Sequence, residues 1–244
     1  MAGNWKMYKT PAETTAFLEK FRPMVAQSTH CEIVICPPFT NLAAAVTAAQ
    51  GSSIAIGAQN IGWAKEGAFT GEVAGPMIRA TGATHVIVGH SERRQYFGES
   101  DETVLKRTQA ALEFGLTPIV CVGERLEERE SGRTEAVLVR QFQTGIAGLT
   151  AGQFARIVIA YEPVWAIGTG KTATPEIAAD AHRAIRAQVR AKFGGPAGDA
   201  IRILYGGSVK PDNVKSLMAQ PEIDGSLVGG ASLEPGSFAS IVNF

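Results

Sequence analysis

Only three cysteines, Cys31, Cys36 and Cys121, occur in the 244 residues. Three cannot all pair within one chain, and none stands in a CxxC or Cys/His spacing, so neither a disulfide framework nor a structural metal site is indicated. They read as reduced thiols in or near the core. No apolar run approaches the roughly 18 residues needed to cross a bilayer, and the start Met1-Ala2-Gly3-Asn4 lacks the basic residues and apolar stretch of a signal peptide. The expectation is a soluble, cytoplasmic protein with no membrane partner. Net charge is missing too. Lys plus Arg total 23 and Asp plus Glu total 23, which leaves no chain-wide field to attract nucleic acid. Any anion this protein binds must therefore be held locally. Finally, no Pro/Gly/Ser linker and no charge block divides the chain, so residues 1–244 are expected to form one domain.

What is present is apolar and regularly patterned. Hydrophobic residues make up 45% of the chain and charged residues 19%, enough to bury a sizeable core. Short apolar runs, continuous as in strands buried on both faces, alternate with helical patterns from end to end. The runs predict eight strands at 2–7, 32–36, 54–59, 85–89, 117–122, 157–161, 201–205 and 225–228. Between them, helices are predicted at 11–22, 101–113, 133–147 and 175–193, several opened by a Ser, Thr or Asp cap. Eight units give about 30 residues each, the size of a strand, a crossover helix and two short loops.

An open doubly wound sheet and a closed barrel both fit such alternation. The positions of the unusual polar and glycine residues decide between them. Lys6, Gln59-Asn60, His90, Cys121, Glu162, Ser208 and Gly229-Gly230 each stand at or just past the carboxyl end of a different predicted strand. In an open sheet the first and last strands would lie about 34 Å apart, too far to share a small ligand. Closure puts all the ends around one mouth, and a closed eight-stranded parallel (βα)8 barrel is the expected fold.

Several residues at that mouth carry chemistry. Lys6, in Asn4-Trp5-Lys6-Met7, puts an ammonium at a strand end, where a lysine is otherwise a solvated surface residue. His90 opens His90-Ser91-Glu92-Arg93-Arg94, which reads as a helix start. Backbone N–H groups there would point at the imidazole and favour its neutral form. Glu162 follows the apolar run 157–161, and after it comes the loop 163–171, Pro-Val-Trp-Ala-Ile-Gly-Thr-Gly-Lys. An apolar middle with glycines near one end suits a loop that closes over something. Two glycine turns, Tyr205-Gly206-Gly207-Ser208-Val209 and Val228-Gly229-Gly230-Ala231-Ser232, follow the last two predicted strands. Such turns let backbone N–H groups approach an anion, a recurrent phosphate site in barrels. The segment 60–72 has no periodicity, and Phe69 at an exposed tip suits an isologous contact between two copies.

These segments, Asn4-Trp5-Lys6-Met7, Gly89-His90-Ser91-Glu92-Arg93-Arg94, Tyr161 through Gly170, and both glycine turns, stand in order at strand ends. Together they resemble the triosephosphate isomerase family from Gly3 to the carboxyl terminus. The resemblance implies a TIM barrel and a homodimer joined through the 60–72 loop. It implies a glycolytic and gluconeogenic isomerase that interconverts dihydroxyacetone phosphate and D-glyceraldehyde 3-phosphate without cofactor or metal. Carried over by position, Glu162 is the base and His90 the neutral electrophile. Lys6 is the cation that stabilises an enediolate, Asn4 orients the substrate, and Glu92 supports the network around Lys6. Gly168, Ser208, Gly229 and Gly230 contact the phosphate. Family members carry several more apolar residues before Gly-Asn-Trp-Lys than the Met1 and Ala2 seen here, so a short first strand is expected.

Two other readings compete. One keeps the barrel and its phosphate site but assigns another sugar-phosphate isomerisation, since a fold does not dictate a function. The other is a catalytically silent sugar-phosphate-binding barrel, which predicts loss of Lys6, His90 or Glu162. All three are present.

Overall fold

The computed structural model describes residues 1–167 and 172–244. Eight parallel strands close on themselves in sequence order: β1 (Ala2–Asn4), β2 (Ile33–Cys36), β3 (Ile54–Ala58), β4 (His85–Val88), β5 (Thr117–Val122), β6 (Val158–Tyr161), β7 (Ile203–Tyr205) and β8 (Gly225–Val228). Closure falls at β1, where Ala2 pairs with Val34 on one side and Leu227 on the other. Among the described residues no strand is an edge, so ladder groups that would otherwise face water are paired around the ring.

The continuous apolar runs follow from burial on both faces. Along a strand, side chains alternate: Val34, Cys36, Ile119, Cys121, Ala160, Leu204 and Leu227 form one cluster inside the barrel. Their neighbours Ile33, Ile35, Val120, Val122, Ile159 and Ile203 belong to a second cluster, with Phe17, Phe21, Phe142 and Phe238 from the surrounding helices. Stacked Phe21 and Phe238, 5.1 Å apart, join the helix Pro11–Val25 to the helix Pro235–Val242 across the closure.

The helices at Asp101–Glu113 and Pro175–Phe193 lie where the pattern predicts them. Each has a hydroxyl cap. Ser100 accepts from the Thr103 N–H and Thr174 from the Ile177 N–H, an arrangement worth about 1 kcal/mol. Three strands, β2, β6 and β7, start one or two residues later than predicted, and three, β1, β3 and β4, stop earlier. β1 stops at Asn4 because Lys6 adopts φ +51°, and β4 stops at Val88 because Gly89 adopts φ +69°, so the chain leaves the ladder where the candidate side chains begin.

Candidate active site

Asn4, Lys6, His90, Glu162, Ser208, Gly229 and Gly230 all line one cleft of about 750 Å³ at the carboxyl ends of the strands. Of the predicted substrate contacts, Gly168 lies outside the described residues, as do the last residues of the expected lid, 169–171.

Lys6 is held in place by its backbone as much as by its charge. A non-glycine residue in the left-handed region costs on the order of 1–3 kcal/mol, and here the cost is offset by neighbours. The Lys6 N–H donates to Asn4 Oδ1 at 3.0 Å, and Gln59 Nε2 donates both to the Lys6 carbonyl and to the Cys36 carbonyl at 2.8 Å each. Its ammonium meets Glu92 Oε1 at 2.5 Å. The Glu92 partnership expected from sequence is thus a direct ion pair.

His90 caps the helix Ser91–Tyr96, and its Nδ1 accepts from the Glu92 N–H at 3.2 Å. That contact leaves Nδ1 without a proton in the neutral ring, so Nε2 carries the hydrogen. Nε2 lies 2.8 Å from Glu162 Oε1. The helix start therefore acts on the imidazole as expected, but a carboxylate now pulls the other way. Burial disfavours the imidazolium, yet the charge and hydrogen bond of Glu162, helped by Glu92, outweigh it and raise the His90 pKa.

Glu162 is buried among three partners, Ser91, His90 and Cys121. The Ser91 N–H donates to Oε2 at 2.9 Å, the Ser91 hydroxyl to Oε1 at 3.3 Å, His90 Nε2 lies 2.8 Å from Oε1, and the Cys121 thiol also favours the carboxylate. Burial alone would push this carboxyl up, but His90, Ser91 and Cys121 hold it below the ordinary glutamate value. Behind it the backbone is tight. A Cβ on Gly123 would sit 1.7 Å from the Glu162 carbonyl oxygen, so only glycine fits there.

At the other end of the cleft, Gly229 leads into a 3-10 turn at Gly230–Leu233, closed by the Ser232 N–H on the Gly229 carbonyl at 2.9 Å. This short helical turn points its first backbone N–H groups toward the cleft end that the glycines line. Between the two ends lies the beginning of the 163–171 loop. Val164–Ala166 form a 3-10 turn, and Trp165 Nε1 donates to Glu124 Oε1 at 2.9 Å.

Ser91, Gln59 and Cys121 were visible as strand-end or cap residues, but nothing in the sequence pairs Ser91 and Cys121 with Glu162 or Gln59 with Lys6. Those partnerships depend on barrel closure. The same holds for Arg107, which is buried and gathers the 60–72 segment by its Asn60 side chain (3.0 Å), the Ile61 carbonyl and Glu72 (2.9 Å).

A carboxylate, an imidazole N–H and an ammonium thus face one cleft with glycine turns beside them. Such a set can take a proton from carbon while placing donors where negative oxygen develops. The model of the triosephosphate isomerase family matches the chain over residues 1–244. The chain belongs to the triosephosphate isomerase family. It is 81% identical over 244 residues to a triosephosphate isomerase of Solibacter usitatus (strain Ellin6076), covering all of this chain and 98% of that one. A triosephosphate isomerase of Citrifermentans bemidjiense is 56% identical over 244 residues, covering all of this chain and 97% of that one. The crystal structure of triosephosphate isomerase from Bartonella henselae superposes with a TM-score of 0.90 at 40% identity, covering 100% of this chain and 97% of that one. In this family member, the cleft that the sequence predicted and the barrel mouth coincide.

Proposed function

We infer that the chain is a triose-phosphate isomerase, interconverting dihydroxyacetone phosphate and D-glyceraldehyde 3-phosphate through an enediolate. The observation that carries this reading is the convergence of Glu162, His90 and Lys6 on one cleft beside the two glycine turns. Glu162 removes a proton from the carbon next to the carbonyl and returns it to the neighbouring carbon. His90 donates from Nε2 to the carbonyl oxygen as charge builds there, and Lys6 stabilises the resulting anion. The pairing of Glu162 with His90 must then loosen as substrate enters, because Oε1 serves one partner or the other. With the carboxylate turned to substrate, burial again favours the neutral imidazole, the form that can donate without becoming a stronger acid than the task requires.

Asn4 orients the substrate. Backbone groups of Gly229 and Gly230, with Ser208 and Gly168, hold the phosphate, which matches a chain with no net charge that must bind its anion locally. The chain needs no metal or cofactor for these steps, since Glu162, His90 and Lys6 supply the base, the acid and the cation.

The active unit is a homodimer of single barrel domains, joined through the 60–72 loop. Phe69 and Trp63 pack edge to face at 6.0 Å, yet both remain over 40% exposed, and Met77 beside them is 56% exposed. Arg107 stacks on Trp63 at 4.9 Å while anchoring both ends of the loop. An anchored loop that presents aromatics to water fits insertion into a second copy. Among the described residues no helix is long and apolar enough to cross a membrane.

The test is a coupled assay on purified protein, with D-glyceraldehyde 3-phosphate as substrate in the presence of a metal chelator. Turnover is expected. No turnover by folded protein would reject the isomerase reading and favour the silent sugar-phosphate-binding barrel.

A further inference from the structure

Arg94 is a charged side chain near the cleft to which the chemistry above gives no task. Arg94 lies on the helix Ser91–Tyr96 with its side chain only 16% exposed. It turns back toward two strand ends. Its Nε donates to the Gly89 carbonyl at 2.8 Å and one terminal nitrogen donates to the Cys121 carbonyl at 3.1 Å, while the other meets Asp101 at 2.5 Å. Arg140 approaches the second oxygen of Asp101 at 3.3 Å, which fixes the carboxylate from outside.

The two carbonyls are not arbitrary. The Gly89 carbonyl belongs to the peptide bond that enters His90, and Gly89 has left the β4 ladder at φ +69°. Cys121 stands next to the end of β5, and its thiol helps hold the Glu162 carboxyl down. Rotation of the Gly89–His90 peptide would swing the imidazole relative to Glu162, and no strand partner is there to prevent it. A planar guanidinium can hold both carbonyls and the carboxylate in one fork; an ammonium has no such fixed geometry.

We propose that Arg94 is a positioning residue for His90. It fixes the Gly89–His90 peptide against the end of β5, and so sets the imidazole at its working distance from the base and the substrate oxygen. The proposal rests on the isomerase reading for its kinetic consequence, but not for its structural one. Misplacement of a catalytic group by about 1 Å costs on the order of a hundredfold in rate.

A cavity of about 460 Å³, lined by Arg94, Asp101, Arg140, Gln141 and Cys121 among others, adjoins the fork and gives room for a small planar cation. The experiment uses Arg94→Ala, Arg94→Lys and Arg140→Gln in the full chain. In Arg94→Ala, kcat should fall about a hundredfold, while KM and inhibition by inorganic phosphate stay within about threefold, because the phosphate end is untouched. Guanidinium at low millimolar concentration should restore at least about tenfold of the lost rate. Arg94→Lys keeps the charge toward Asp101 and serves if the alanine variant does not fold. It should lose about tenfold in kcat and move the ¹⁵N ring signals of His90. Arg140→Gln touches Asp101 but neither carbonyl, and its kcat should stay within about twofold of the parent.

A folded Arg94→Lys with parental kcat and parental His90 ring signals would overturn the proposal. So would an equal loss in Arg140→Gln, which would assign the effect to the ion pairs and not to the carbonyls. The ring signals can be read whether or not the parent turns over triose phosphate. An inactive parent therefore counts against the isomerase reading alone, and unmoved signals count against the clamp alone.

Discussion

Oε1 of Glu162 lies 2.8 Å from Nε2 of His90, so the proposed base and the proposed acid hold each other. The contact sets both their pKa values in opposite directions, down for Glu162 and up for His90. Such a pair titrates as a unit. Its acid step, in which the carboxylate takes a proton, should appear in kcat/KM, which reports the enzyme before substrate binds.

His90→Gln tests that relationship. The change removes the positive partner that helps hold Glu162 down, while the burial that pushes the carboxyl up remains. The acid limb of kcat/KM should therefore move to higher pH, and kcat should fall by about a hundredfold or more as the general acid is lost. A pH–rate profile of parent and variant decides it; an acid limb that stays put or moves down would show that His90 does not set the ionisation of Glu162.

Glu162→Asp keeps the charge but withdraws the carboxylate by about one bond length, and on the order of a hundredfold in kcat should be lost. KM should change much less, since the glycine turns lie at the other end of the cleft. Turnover within about threefold of the parent would remove Glu162 from the role of base.

The barrel was legible because closure leaves both strand faces apolar, and the continuous runs at 33–36, 119–122 and 158–161 record it. The positions of Lys6, His90 and Glu162 were legible for a related reason. A charged or titratable residue directly after such a run stands at a strand end, and in a closed barrel all carboxyl ends meet. Their partners were not legible. Ser91 lies 71 residues from Glu162 in sequence, and Gln59 lies 53 from Lys6. Local pattern holds no record of which strand ends will face each other at hydrogen-bond distance. The left-handed turn at Lys6 was hidden as well, because lysine gives no sign of a positive φ and the conformation is imposed by Asn4 and Gln59.

His182 gives the fold a dependence on pH that is separate from the site. It is fully buried on the helix Pro175–Phe193, edge-on to Tyr161, with Nδ1 donating to the Glu222 carbonyl at 3.0 Å. Burial depresses its pKa from 6.5 to about 3. The unfolded chain thus takes up this proton near pH 6.5 and the folded chain only near 3, so between these values the unfolded state binds more protons. The contribution is complete above pH 6.5 and is lost as pH falls toward 3. In His182→Gln the melting temperature should be lower at pH 7 but should fall less steeply than the parent's between pH 6.5 and 4. Parallel melting curves across that range would show that His182 carries no such linkage.

Phe69→Asp tests the dimer contact through a residue that the isolated chain hardly needs. Phe69 is 45% exposed and touches Trp63 at the loop surface, so a folded monomer should tolerate the change at little cost. In an isologous interface the same substitution buries a carboxylate on each side without a partner, which costs several kcal/mol per contact. Dissociation should therefore appear in sedimentation at micromolar protein, while the melting curve of the monomer stays cooperative. If the interface also covers Met7 and Tyr8, apolar residues directly after Lys6 that are 92% and 58% exposed in the single chain, activity should fall with dimer content. An unchanged dimer would reject the assignment of the 60–72 loop as the interface, whatever happens to the rate. A clean monomer with parental kcat would keep the interface but remove any role for it in holding Lys6.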